Sequence, residues 1–275
     1  MHRTGPADDF FVTAPLIHLD PHGGTRVAAR ACIIVGVIAC GLFADQKIEF
    51  WGQTLTNLGV WALFLYWLRR ATARTQIALT ACVIYATAGE IFLSLVWSVY
   101  DYRLGMVPLF VPPGHALLFM LGGIVAARSP GWIVWLTPLA AAPFAGLLLV
   151  SGAGTLDALL FAIFLVCLWF GRARKLYAVM FVLSLMMELY GTALGNWTWS
   201  TTVPWIGLTT LNPPLAAGAF YCVLDMLVVA TVSRWRFAMR VAGDPQRPTG
   251  FKRLFPAGRR AARPWARSAH TAAGI

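Results

Sequence analysis

Basic clusters punctuate this chain, and the text between them is too long and too apolar for a soluble core. "RRATAR" carries Arg69, Arg70 and Arg74, Arg128 stands alone, "GRARK" carries Arg172, Arg174 and Lys175, and "SRWRFAMR" opens a basic tail. The apolar runs fall at 27–44, 50–68, 76–100, 113–127, 131–150, 153–171, 174–195 and 212–234. A helix that crosses the hydrocarbon needs about 20 mainly apolar residues, so all but the short 113–127 run are of spanning length. Charged residues are 12% of the 275, against about 25% in soluble domains. The expected fold is all-α: a polytopic transmembrane bundle of about eight helices, with no room for a sizeable soluble domain. Pro138 and Pro143 inside one run do not oppose this, because membrane helices tolerate proline.

The formal net charge of +11 would suggest nucleic-acid binding in a soluble protein. Here the basic residues sit in alternate loops, which is what membrane topology produces. The other loops carry few, Lys47 and Arg103 being the exceptions. The positive-inside rule then places both termini in the cytoplasm, in a bacterial-type inner membrane. Residues 1–26 form a cytoplasmic segment without the early apolar core of a cleavable signal. Residues 235–275 read as a basic, disordered tail near anionic headgroups. The cysteines, Cys32, Cys40, Cys82, Cys167 and Cys222, lie in apolar runs without metal spacing and read as small buried hydrophobes. His18, Asp20 and His22 make a weak metal pattern. No phosphate-binding loop, dinucleotide fingerprint, nucleophile elbow or zinc-helix motif is present, and the reading calls for no cofactor and no metal.

Two acids interrupt the apolar runs in the same way. Glu90 lies 14 residues beyond Gln76, and Glu188 lies 14 beyond Arg174. At about 1.5 Å per residue, each sits roughly 21 Å into a core about 30 Å thick. Their separation, 98 residues (188 − 90), equals that of Arg172 and Arg74 (172 − 74), while the pairs Pro112-Pro113 and Pro213-Pro214 are 101 apart (213 − 112). A basic start, an embedded glutamate, an aromatic turn and a proline pair thus recur in order. The expectation is two four-helix halves, 27–127 and 131–234, related as parallel repeats.

An acid inside a bilayer is costly and points to a functional site. Burial favours its neutral form, which can act as a general acid. The bland alternative for each is a neutral acid hydrogen-bonded between helices or an ion pair with Arg103. Asp225, four residues after Tyr221, is a third candidate acid, and Asp157, at the start of the sixth run, reads as an interfacial or helix-capping residue. Trp97, Tyr100, Tyr102, Trp197, Trp199 and Trp205 are either an interfacial belt or the aromatic lining of a cavity, where π faces stabilise a cation by about 0.5–2 kcal/mol each. Asn196, Arg103 and Tyr221 join the candidate binding residues. The proline pairs are expected in the first turns of the helices that follow, with Asn212 as an N-cap. His115 would then open the fourth helix as a proton relay or local hydrogen-bonding residue, with no histidine counterpart after Pro214.

"ELYGTALGNWTWSTTVPWIGL" resembles the membrane carotenoid-biosynthesis proteins of the carotenoid hydratase type. Those show a helical glutamate, glycine-rich text, an aromatic-x-aromatic pair and a glycine turn, here at Glu188, Gly191, Gly195, Trp197, Trp199 and Gly207. Tryptophan replaces the usual tyrosine, and "GLTTLNPP" replaces a shorter proline turn. The chain is more loosely similar to integral-membrane terpene cyclases, including lycopene-cyclase-like domains and fungal meroterpenoid cyclases. Both resemblances imply protonation of an alkene or epoxide in an apolar prenyl chain.

The expected function is a membrane enzyme acting on an isoprenoid lipid by acid-initiated hydration, cyclisation or isomerisation. Glu90 or Glu188 would be the acid, with Asp225 or the other glutamate taking up a proton. The alternatives are a small proton-coupled transporter using the paired acids, and a scaffold whose basic tail docks a partner. No nucleic-acid partner is expected.

Overall fold

The computed structural model describes residues 24–242. Expectations for the first 23 residues, the His18–Asp20–His22 grouping included, and for the tail beyond 242 lie outside the described residues. The chain divides into two compact units, Met1–Ser233 and Arg234–Ile275, and the site belongs to the first.

Eight helices occur among the described residues: α1 (Gly24–Lys47), α2 (Gly52–Arg70), α3 (Ala73–Glu90), α4 (Val111–Arg128), α5 (Ile133–Ser151), α6 (Thr155–Phe170), α7 (Arg174–Leu194) and α8 (Gly218–Ala242). A π-helical segment, Ile91–Val96, extends α3. Six helices are long and apolar enough to cross a membrane: α1, α3 with its extension, α4, α5, α7 and α8. The sequence suggested eight. Gln53, Thr54, Thr56 and Asn57 dilute the first turns of α2, and α6 has only 16 residues. Where α2 begins, the Thr56 hydroxyl donates to the Gly41 carbonyl of α1 at 3.0 Å.

Helices α4 and α7 form the centre and pack against each other. Leu117 and Phe119 on α4, and Tyr177, Met180 and Phe181 on α7, are almost wholly enclosed. The outer helices show the reverse: Leu139, Leu147 and Val150 of α5 and Ile33, Val35 and Phe43 of α1 are exposed. Water would penalise so continuous an apolar surface, whereas hydrocarbon would not, so the arrangement is compatible with a multi-pass membrane protein. Cys32 and Cys40 lie on this outer surface, while Cys82, Cys167 and Cys222 are buried. Expecting five buried cysteines was therefore wrong for two, because in a membrane bundle an apolar run does not imply an interior position.

The bundle is not purely helical. β1 (Tyr100–Tyr102) pairs antiparallel with β2 (Trp197–Trp199), in the register Tyr100↔Trp199, Asp101↔Thr198 and Tyr102↔Trp197. The third apolar run thus ends as helix at Val96, not at residue 100. Gly195 produces the turn into β2: its φ of 85° is left-handed, and its N–H caps α7 by donating to the carbonyls of Gly191 and Thr192. The Asp101↔Thr198 pair faces outward, while the four rings face inward, as the two-residue period of a strand requires.

The proline pairs behave differently from each other. Pro112 and Pro113 occupy the first turn of α4, where a missing N–H costs nothing. Pro213 and Pro214 precede α8, which starts only at Gly218. The intervening turn is held by Asp157, whose buried Oδ1 accepts the Ala216 N–H at 2.7 Å. Asn212 is therefore not an N-cap. Its Oδ1 accepts the Trp199 backbone N–H at 3.0 Å, extending the edge of β2.

Candidate functional site

Glu90 and Glu188 are both buried, 7% and 5% exposed, in a body with few other enclosed charges. Each carboxyl group is held in the same pattern. Oε2 of Glu90 accepts the Tyr100 and Tyr102 hydroxyls of β1 at 2.6 and 2.8 Å. Oε2 of Glu188 accepts the Trp197 and Trp199 indole N–H groups of β2 at 2.8 and 3.2 Å. On the other oxygen, Oε1 of Glu90 meets His115 Nε2 at 2.8 Å, and Oε1 of Glu188 accepts the Tyr221 hydroxyl at 2.9 Å. The His115 and Tyr221 rings stack with centroids 4.9 Å apart, so the two sets meet through these rings.

The counterpart of His115 is thus Tyr221, not the residue two places after the second proline pair. The extra residues between Pro214 and the start of α8 displace it along the sequence. Tyr100 takes the place in its set that Trp197 takes in the other. The spacing from the glutamate is ten residues in the first case and nine in the second. The π-helical segment after Glu90 absorbs that one-residue surplus, with Trp97 N–H bonding to Phe92 O at 2.8 Å over five residues. Such segments are frequent at functional sites.

Local sequence explains how the rings reach the acids. Gly191, one turn after Glu188, lies against the Trp197 indole, and a Cβ there would overlap the ring. Burial pushes the Tyr100 and Tyr102 phenols well above their ordinary range. Both therefore remain hydrogen-bond donors at neutral pH. The strand ribbon is fixed from outside by Asp45 near the end of α1. Its side chain accepts Arg103 Nη2 at 3.5 Å and Asn196 Nδ2 at 2.8 Å, and Arg103 also donates to the Asp45 carbonyl at 2.7 Å.

Two apolar cavities meet at the acids. The first, about 570 Å³, is bordered by Ile38 and Leu42 of α1, Val60 of α2, Gly114 of α4 and Met187 of α7. The second, about 450 Å³, is bordered by Tyr85, Gly89 and Leu93 of the third helix and its extension, and by Phe220 and Leu224 of α8. Glu90, Tyr100, His115, Glu188 and Tyr221 line both.

Of the candidate residues, Glu90, Glu188, Tyr100, Tyr102, His115, Trp197, Trp199 and Tyr221 come together here. The others do not. Arg103 pairs with Asp45 instead of Glu90, because the strand turns its side chain away from the acids. Asn196 is 2% exposed and bonded to Asp45 and the Leu42 carbonyl. Trp97 stacks on exposed Trp205 and donates to the Pro204 carbonyl, so this pair lies at the outer turn. Asp225 is fully buried, but it borders neither cavity and its carboxyl oxygens have no hydrogen-bond partner. Its position one helical turn from Tyr221 does not bring it to the acids, because Tyr221 reaches Glu188 only with its terminal hydroxyl. Asp45 escaped sequence reading altogether; the signal available was an acid near the end of an apolar run, as at Glu90 and Glu188.

No group of three or more histidine, cysteine, aspartate or glutamate side chains among the described residues is placed to hold a metal. No family model, curated protein or solved structure matches the chain.

Proposed function

We propose that the chain is an integral membrane enzyme that protonates a carbon–carbon double bond in an isoprenoid-type lipid, leading to hydration, cyclisation or isomerisation. The observation that carries this reading is the pair of buried carboxyl groups, each held by three side chains in the same arrangement, where two apolar cavities meet. The matched donor sets also support reading 27–127 and 131–234 as parallel repeats, and the arginine-bearing loops support cytoplasmic termini in a bacterial-type inner membrane.

The partners suggest different duties for the two acids. An indole N–H can only donate, so Oε2 of Glu188 faces two donors and cannot itself carry a proton comfortably. On Glu188 only Oε1, which faces the Tyr221 hydroxyl, has a partner able to accept from a carboxyl proton; in this reading Glu188 serves as the carboxylate that stabilises positive charge. Every partner of Glu90 can both donate and accept, so a proton on either oxygen is accommodated. Glu90 is the better general acid, with His115 placed to resupply it.

In the proposed step the Glu90 O–H bond breaks and a C–H bond forms at one alkene carbon. The alkene electron pair is consumed, leaving a carbocation on the substrate and a carboxylate on Glu90. The Glu188 charge and the Tyr100, Tyr102, Trp197 and Trp199 rings stabilise the cation. In hydration, water adds to the cation and its surplus proton returns to Glu90. In cyclisation or isomerisation a neighbouring C–H bond supplies that proton instead.

The test is expression of wild-type, Glu90→Gln and Glu188→Gln chains in a host that makes linear isoprenoid hydrocarbons, followed by mass spectrometry of lipid extracts. Wild type should yield a new product, one water heavier for hydration and isobaric for the other outcomes, and Glu90→Gln should yield none. Unchanged products from well-expressed Glu90→Gln protein would sink the reading. A proton-coupled permease remains the second reading, favoured by the same acid pair between two cavities. Proton-driven uptake into proteoliposomes that disappears in both Gln variants would establish it.

A further inference from the structure

The cavities constrain the substrate more than the acids do. Their walls come from different helices. The first extends between α1, α2 and α4, and the second between α3 and α8. The polar side chains common to both are those at the acid junction, and no lysine or arginine lines either one. A phosphate or carboxylate group would meet two acids at the junction, where the imidazole of His115 is already bonded to Glu90, and mostly apolar walls elsewhere. Burying such a charge without a partner is prohibitive.

We infer that the ligand is a long, neutral hydrocarbon chain without a charged headgroup, which crosses the junction with one arm in each cavity and reacts at an internal double bond. This deepens the acid-initiated reading and rests on it for the word "reacts", but the binding geometry can be tested without turnover. Two glycines offer the means. Gly114 borders the first cavity and Gly89 the second, and a Cβ at either would meet no atom within 4 Å. Both lie in helices, where a larger residue has no backbone penalty. Leucine at either site should fill its cavity without disturbing the fold.

The experiment uses the full chain in phosphatidylcholine nanodiscs, with squalene as a long probe, myrcene as a short one and farnesyl diphosphate as a charged one. Probe retained beyond that held by protein-free nanodiscs of the same lipid is measured by mass spectrometry after gel filtration, and folding by thermal unfolding. Wild type should retain squalene and myrcene but not farnesyl diphosphate. Gly114→Leu and Gly89→Leu should each lower squalene retention about tenfold or more, by removing burial for one arm. Each should keep myrcene within about twofold, because the other cavity still admits it.

Squalene retention unaffected by either plug would overturn the two-armed placement, as would loss of myrcene with a single plug. Retention of farnesyl diphosphate would overturn the neutral class. If a leucine variant fails to fold, Gly114→Ala and Gly89→Ala provide a smaller, graded version of the same reading. Glu90→Gln should retain squalene. Squalene retained by wild type, with no product from wild type in any host, would remove the acid chemistry and leave the binding inference standing.

Discussion

The first and second glutamate sets share a geometry and differ in chemistry. Glu90 is surrounded by two phenols and an imidazole, all able to reverse their hydrogen bonds. Glu188 is surrounded by two indoles and one phenol, and the indoles are fixed as donors. In the proposed reading the first set holds and releases a proton, while the second stabilises positive charge. The difference teaches that one hydrogen-bonding geometry can hold two carboxyl groups with unlike partners: two tyrosine-to-tryptophan differences and one histidine-to-tyrosine difference separate the sets.

The largest expected effect that would break this comparison is removal of the mobile proton. Glu90→Gln should lower product formation by about 10²–10⁴-fold, the usual contribution of a general acid, with the melting temperature little changed because its partners can turn to meet an amide. Glu188→Gln should lower it less, by roughly 10²–10³-fold, the scale for losing one preorganised electrostatic contact. Equal losses in lipid-extract assays would erase the distinction. His115→Tyr makes the first set imitate the second. It should cost about 10–100-fold in turnover, equivalent to the roughly 1.5–3 kcal/mol of a charged hydrogen bond, and a variant with full turnover would show that the imidazole is not used.

Gly191→Ala acts on the second set alone. The added methyl group displaces Trp197, and the expected cost is about 1–3 kcal/mol of stability, read in a denaturation series, with the Glu90 set intact. Arg103→Ala is the smallest change. Its pairing with Asp45 is long and part-exposed, so the loss should lie within about 0–1 kcal/mol. A much larger loss would mean that the outer bracket, and not the packing of the rings, positions both sets.

Much of the site was legible before the structure. Glu90 and Glu188 were conspicuous because an acid in an apolar run has no cheap explanation, and the repeated order of arginine, glutamate, aromatics and prolines linked them. The error over Asn212 and the second proline pair has a local cause. The sequence shows where proline can start a helix, but Asp157, distant in sequence, holds the turn that delays α8 to Gly218. The match between His115 and Tyr221 was hidden by the same delay. Arg103 and Asn196 looked like binding residues because they neighbour the aromatics, yet strand alternation directs them to Asp45.

The amino-acid sequence by itself determined that the chain is a bundle of apolar helices and that two acids lie within it. Helix length and hydropathy are local properties, and an unpaired charge is as costly in one apolar setting as in another. Only the tertiary structure decided what surrounds those acids. The β1–β2 pairing joins residues almost a hundred positions apart, the one-residue surplus is taken up by a π-helical segment, and each cavity draws walls from helices distant in the chain, α1 with α4 and α3 with α8. Hydrogen-bond direction at a carboxyl group depends on which donors arrive and at what angle, and that is set by packing over distance, not by neighbours in sequence.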